Sequence, residues 1–188
     1  MTAAIGRLLR PVRAGMGSTA WFHASVRDAP ETMSITSPAF GDGAAIPRRH
    51  AGAGVGEDIS PPLHWSGIPR EAVELILIIE DPDAPLRRPV VHGLFTGIDP
   101  GSTGLPEGAL DAGTLAAGLT AGLGSFRRRG YAGPRPVPGH GTHHYVFQLL
   151  AVDRPSGSTT TATVPTTLAA ITGHVLARGK LTGIYERS

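Results

Sequence analysis

The run Val73 to Ile79, inside "EAVELILIIEDPDAP", is apolar at every position except Glu74. A strand with one wet face alternates apolar and polar residues, so a run apolar on both faces predicts a strand covered from both sides. Such a strand needs neighbours. "VVHGLFTGI" (Val90 to Ile98), "HHYVFQLLAVD" (His143 to Asp153) and the closing "KLTGIYE" (Lys180 to Glu186) supply three, and short strands are expected near Met33–Ile35 and Leu63–Trp65. The chain carries 26 glycines and 17 prolines without any repeat period, which read as turn punctuation between short strands. The fold class predicted is mainly β.

One segment breaks the pattern. In "PTTLAAITGHVLARG", Pro165 and two threonines open a helix, Leu168, Ile171, Val175 and Leu176 form its apolar stripe, and Gly179 supplies its stop. The long Gly-rich stretch 101–130 reads as a functional or mobile loop. At 188 residues the chain suits a single core. Residues 1–32 are expected to be an N-terminal arm packed on the domain or on a partner subunit, and residues 33–188 the domain.

The formal charge is +2, from 17 basic and 15 acidic residues. The one compact basic run, "FRRRGY" (Phe126 to Tyr131), reads as a solvated loop and not as a base-stacking stripe, so no nucleic-acid partner is expected. Without cysteine there is no disulfide, thiol nucleophile or thiolate metal site. Arg10, Pro11 and Arg13 interrupt any apolar signal region at the N-terminus. No run approaches the roughly 18 apolar residues of a membrane span. A cytoplasmic protein is the expectation.

Two constellations carry chemistry. In "PVPGHGTHHYVF" (Pro136 to Phe147), His140, His143 and His144 have the i, i+3, i+4 spacing of a helical zinc site, but Pro138, Gly139 and Gly141 oppose a helix. On a strand, His143 and Tyr145 share one face and His144 and Val146 the other, with His140 in a loop at the rim. No metal site and no cofactor are predicted. The second constellation is "DPDAP", Asp81 to Pro85. Read alone it is either an Asp/Pro turn or a pair of carboxylates on one side of an extended backbone. His92 is either a satisfied core histidine or a donor to those carboxylates. Asp81, Asp83, His92, His143 and Tyr145 together would form a donor-rich pocket for a small anion, which backbone N–H groups at Gly133, Gly139 and Gly141 could approach.

The ordered motifs "SPAF", "EDISPPLHWSGIP", "DPDAP", "HGLFTGI", "GYAGPRPVPGHGTHHYVFQLLAVD" and "HVLARGKLTGIYER" resemble the phosphatidylethanolamine-binding protein family, in particular its bacterial, Raf-kinase-inhibitor-like branch. The resemblance spans residues 33 to 187. It implies a β-sandwich of antiparallel-rich sheets with one or two peripheral helices, and an anion pocket lined by Asp81, Asp83, His92, His143 and Tyr145 with Pro85, Gly133 and Pro134 as walls. It implies phosphate or a phospholipid headgroup as ligand, and a kinase or protease as a protein partner to be regulated. Homodimerisation is a further option.

Several positions depart from the family pattern. Val90 and Val91 replace an aromatic beside the histidine, His144 replaces an arginine, Arg135 interrupts the proline run, and the C-terminal helix of eukaryotic members is expected to be absent. A binding protein, not an enzyme, is the reading. The alternative is a hydrolase with a His/Asp dyad in the same pocket, using His143 or His92 as general base.

Overall fold

The computed structural model describes residues 3–188. The N-terminal segment holds a short helix α1 (Ala3–Leu9) and two 3-10 turns. The strands follow: β1 (Ser34–Thr36), β2 (Leu63–Ser66), β3 (Glu74–Asp81), β4 (Val90–Ile98), β5 (Gly104–Leu105), β6 (Thr120–Ala121) and β7 (His143–Val152). Helix α2 (Val164–Ala170) precedes the last strand, β8 (Val175–Tyr185). The strands form a three-stranded sheet in the order β1-β2-β5 and a five-stranded sheet in the order β6-β4-β3-β7-β8, and every ladder is antiparallel.

The central place of β3 explains its composition. Leu75, Leu77 and Ile79 point into a core shared with Ile35, Leu63 and Trp65 of the small sheet. Ile76 and Ile78 point the other way, against Val164 and Leu168 of α2, Ile171 just after it, and Ala20 and Val26 of the N-terminal segment. All eight residues of β3 are buried. Each fully buried Leu or Ile contributes about 1.5–3 kcal/mol through removal of apolar surface from water. The fold is therefore a mainly β sandwich, with α2 and the N-terminal segment covering the outer face of the larger sheet.

Two polar residues on that outer face are buried as well. Glu80 accepts hydrogen bonds from the Ala20 amide (2.7 Å) and from Gln148 Nε2 (2.9 Å). Burial pushes its carboxyl above the usual range, and the two hydrogen bonds only partly oppose that. Glu74 accepts from the Gly97 and Ser156 amides.

The helix expected over 165–176 ends at Ala170. Thr163, two residues before the expected start, caps it with a capping box to Thr166. Gly173 then adopts φ +79°, and Val175 and Leu176 begin β8 in place of continuing a helical stripe. The reason is tertiary: β8 pairs with β7 from Val175 to Tyr185, and that ladder outweighs one further turn of helix. Gly179 lies in the middle of β8, where a Cβ would stand 2.4 Å from the Met33 carbonyl oxygen. The stretch 101–130 holds β5, β6 and a 3-10 turn.

The N-terminal segment lies along the domain. Arg178 of β8 stacks over the Trp21 ring at 4.1 Å and donates to the Trp21 carbonyl at 2.7 Å. Gly15 donates to the Pro82 carbonyl. No helix among the described residues is long and apolar enough to cross a membrane.

Candidate functional site

The carboxyl end of β3 and the amino ends of β4 and β7 meet at one edge of the larger sheet, where a cavity of about 510 Å³ opens. Asp81, Pro85, His92, Gly133, His143 and Tyr145 line it, together with Val90, Val91, Leu86 and Phe126. Strand alternation brings His143 and Tyr145 to the cavity together. His92 arrives by a different device. The β3–β4 register steps from Ile79↔Gly93 to Glu80↔Val91, which leaves His92 as the extra residue of a β-bulge. Bulges re-aim side chains in this way beside functional sites.

Each group has a defined state. His92 Nδ1 bonds the Ala132 carbonyl, so that nitrogen carries the hydrogen, and Nε2 has no partner among the described residues. Burial is the main influence on His92 and pulls it below the usual imidazole value, despite the opposing charge of Asp81. It is therefore a neutral ring. Burial raises the Tyr145 phenol well above its usual value, with the Asp81 charge adding to the effect. The Tyr145 hydroxyl is buried; the Arg135 backbone amide lies near enough to oppose that rise, but no hydrogen bond of good geometry reaches the hydroxyl among the described residues. Its ring meets His92 edge-on.

Asp81 folds its own turn. Its Oδ1 accepts from the amides of Asp83 (2.8 Å) and Ala84 (3.2 Å), and its Oδ2 lies 2.7 Å from His143 Nδ1. Asp83 diverges from it. Its carboxylate takes Arg13 of the N-terminal segment and both the amide (2.8 Å) and Nδ1 (2.7 Å) of His144. Burial works to raise the Asp83 carboxyl, but the hydrogen bonds from His144 and Arg13 outweigh it and hold it below the usual carboxylate range. The two carboxylates expected on one side thus part, because the turn wraps around Asp81. Asp83 is not among the cavity-lining residues. Pro134 is not among them either; its carbonyl is tied to the Gly52 amide at 2.9 Å.

Two further expectations are corrected. His140 is not at the rim but fully buried, with Nδ1 2.7 Å from His143 Nε2 and Nε2 2.9 Å from the Leu9 carbonyl. Gly139 (φ +75°) and Gly141 (φ +102°) flank it and turn the chain back, bringing His140 and His143 together although His144 points away. Two of the three glycine amides are also spoken for: Gly133 donates to Asp58 and Gly139 to the Arg187 carbonyl. Gly133 is required for closeness, since a Cβ there would stand 2.2 Å from the His50 carbonyl oxygen.

The rim is basic and apolar. Phe126 and Arg127 occupy the left-handed region at φ 58° and 59°, and Phe126 is 79% exposed at the mouth. Arg128, paired with Asp58, and Arg135 and Arg187 also border the cavity. The sequence did not mark Arg13, Arg128 or Arg187 for this region, and it suggested the rim, not the buried layer behind His143, for His140. The one available signal was the Gly-flanked i, i+3 spacing of His140 and His143.

Known proteins share this arrangement of strands. Residues 36–186 match the family model described as phosphatidylethanolamine-binding protein. A UPF0098 protein of Methanothermobacter thermautotrophicus is 42% identical over 155 residues, covering 82% of this chain and 99% of the relative. LppC of Mycobacterium tuberculosis, whose name carries the word lipoprotein, is 38% identical over 162 residues, covering 84% and 74%. Among solved structures, the homologue CT736 of Chlamydia trachomatis superposes with a TM-score of 0.74 at 33% identity, covering 84% of this chain and 99% of that one. YbcL of Escherichia coli superposes at 0.78 with 25% identity, over the same shares. A family model spanning most of the chain, and relatives matched nearly end to end, place this chain in the phosphatidylethanolamine-binding protein family.

Proposed function

We propose that the protein binds a small oxyanion, with the phosphate group of a phospholipid headgroup as the best fit, in the cavity bounded by Asp81, His92, His143 and Tyr145. The observation that carries the reading is the buried Tyr145 hydroxyl, whose hydrogen has no acceptor among the described residues, the nearby Arg135 amide being itself a donor. A buried donor left unmade costs about 1–3 kcal/mol, and a phosphate oxygen in the cavity would satisfy it. His92 Nε2, free of hydrogen, complements this as an acceptor for a protonated phosphate oxygen or an ethanolamine ammonium. Arg128, Arg135 and Arg187 provide a positive surround, and Leu86 and Phe126 an apolar rim for a glycerol or acyl portion. Asp83 and Pro134 would then support the turn and the wall and not touch the ligand.

In the hydrolase alternative His143 is ill placed as general base, since both its nitrogens are engaged, one by Asp81 and one by His140, which leaves His92, with its free Nε2, as the base such an enzyme would need. Ser125 at the rim accepts from the Val91 amide, and no imidazole bonds it.

Isothermal titration with inorganic phosphate and with phosphoethanolamine tests the proposal. Millimolar or tighter binding that weakens in His92→Ala is expected. Equal heats for wild type and variant, or none at millimolar ligand, would sink it.

A further inference from the structure

We infer that docking of the N-terminal segment loads the cavity wall with one proton, so that this segment regulates the charge, and with it the anion affinity, of the site. The regulatory half of the inference rests on the anion-binding reading above; the proton does not.

Four groups stand in a row: the Leu9 carbonyl, His140, His143 and Asp81, joined by contacts of 2.9, 2.7 and 2.7 Å. Both imidazoles are buried, and Asp81 nearly so. Two lone pairs facing each other at such distances repel, so each contact holds one hydrogen. A carbonyl only accepts, so His140 Nε2 carries the first hydrogen. The second lies between His140 Nδ1 and His143 Nε2, and the third between His143 Nδ1 and Asp81 Oδ2. Two neutral imidazoles and a carboxylate hold two hydrogens between them. The observed row holds three, and its net charge is zero instead of minus one.

Removing the Leu9 carbonyl changes the count. His140 Nδ1–H can then donate to His143 Nε2 and His143 Nδ1–H to Asp81, with His140 Nε2 left as a lone pair toward water. Two hydrogens satisfy that row. Docking therefore takes up one proton from solvent, and undocking returns it. Because Asp81 and His143 line the cavity, the docked state removes a negative charge from the wall that would face an anion.

The segment is seated on the very turn that carries His140. Gly6 packs so closely that a Cβ would stand 1.9 Å from the Pro138 carbonyl oxygen. Arg10 donates to the Gly139 carbonyl at 2.9 Å, and Arg13 reaches both Asp83 and the Thr142 carbonyl.

The other charged and titratable groups around the row can be accounted for. Arg10 and Arg13 come from the N-terminal segment, Asp83 from the β3–β4 turn, His92 from β4, His144 and Tyr145 from β7, Arg128 and Arg135 from the rim loops, and Glu186 and Arg187 from the C-terminus. Arg13 and Asp83 neutralise each other, and His144 bonds Asp83 from the opposite face of β7. His92 and Tyr145 are neutral.

The test uses the full chain and its Gly6→Val variant, which inserts bulk only where the segment meets Pro138. Long-range proton–nitrogen spectra of the histidines, with the Asp81 carboxyl carbon shift, report where the protons lie at pH 7. The wild type is expected to show either an imidazolium pattern at His140 or His143, or a protonated Asp81. Gly6→Val is expected to show two neutral rings and an ionised Asp81, and to bind inorganic phosphate roughly tenfold more weakly, the order expected for one added negative charge in the wall. Arg10→Ala, which removes a docking bond without adding atoms, repeats the comparison if Gly6→Val does not fold.

Two neutral rings with an ionised Asp81 in the wild type would overturn the inference, as would an extra proton that persists unchanged in both variants. If neither phosphate nor phosphoethanolamine binds any form, the headgroup reading fails with the regulation built on it, while the spectra still decide the proton.

Discussion

Tyr145 and His92 meet edge to face, with ring centroids 5.0 Å apart and planes at 78°, and the tyrosine hydroxyl beside this contact has no acceptor for its hydrogen among the described residues. A packing contact between aromatic rings holds this polar group at the wall of the cavity. Tyr145→Phe is therefore expected to leave stability unchanged or raise it by about 1 kcal/mol, since an unsatisfied buried hydroxyl is removed. The same change should weaken phosphate binding about five- to tenfold, the equivalent of roughly one hydrogen bond. Urea unfolding and titration calorimetry on one preparation check both halves. A loss of stability with unaltered binding would mean that the hydroxyl is structural.

Glu80 gives a pH-dependent prediction. Its folded-state value lies above the ordinary 4.5, raised by burial. A group raised in this way stabilises the fold fully below the unfolded value, and its contribution is lost as pH rises through the folded value. Glu80→Gln keeps an acceptor for the Ala20 amide and removes the buried charge. The variant should lose less stability than wild type between pH 4.5 and neutrality, as read from denaturant midpoints along a pH series. Parallel curves would refute the role of burial.

Asp83 has the opposite sign. Its carboxyl is held below the ordinary 3.8, so its contribution is present above that value and lost as pH falls through the folded one. The ion pair with Arg13 is about one-third exposed on the arginine side and is screened by solvent. The expected effect is local: exchange of the Gly15 amide, bonded to the Pro82 carbonyl, accelerates in acid, and Asp83→Asn brings that acceleration to neutral pH.

Ile78 joins β3 to the layer formed by α2 and the N-terminal segment. Ile78→Ala should destabilise the protein by about 2–5 kcal/mol, through lost burial and a residual cavity. Gly179→Ala adds a single methyl group against the Met33 carbonyl and should loosen β1 from β8. Calorimetric unfolding reads the first, and amide exchange at Met33, bonded to the Arg178 carbonyl, reads the second.

Most of the larger sheet is legible in the chain, because its strands advertise their burial. The both-faced apolar run of β3, the alternation through β7 and the Pro165–Thr166 helix start are local signals, and each element forms where they fall. Val175 and Leu176 mislead because their spacing suits a helical stripe, whereas pairing with β7 along eleven residues of β8 is a long-range gain that no local window contains. The pocket follows the same division. His143 and Tyr145 share a face because strand alternation requires it. His92 reaches the cavity through a bulge, which depends on a register between two strands.

Residue types and spacings in the chain were thus enough to specify a mainly β domain, the three strands that meet at the cavity and, of its polar lining, Asp81, His92, His143 and Tyr145. Folding in space settled which of two neighbouring aspartates faces the cavity, that His140 lies behind His143, and that residues 5–13 reach across to the same corner. Local patterns act through backbone geometry over a few residues, where steric rules leave little choice. Hydrogen-bond partners drawn from Leu9, Asp81 and His140 are separated by up to 131 residues in the chain, and their meeting is set by how whole layers pack.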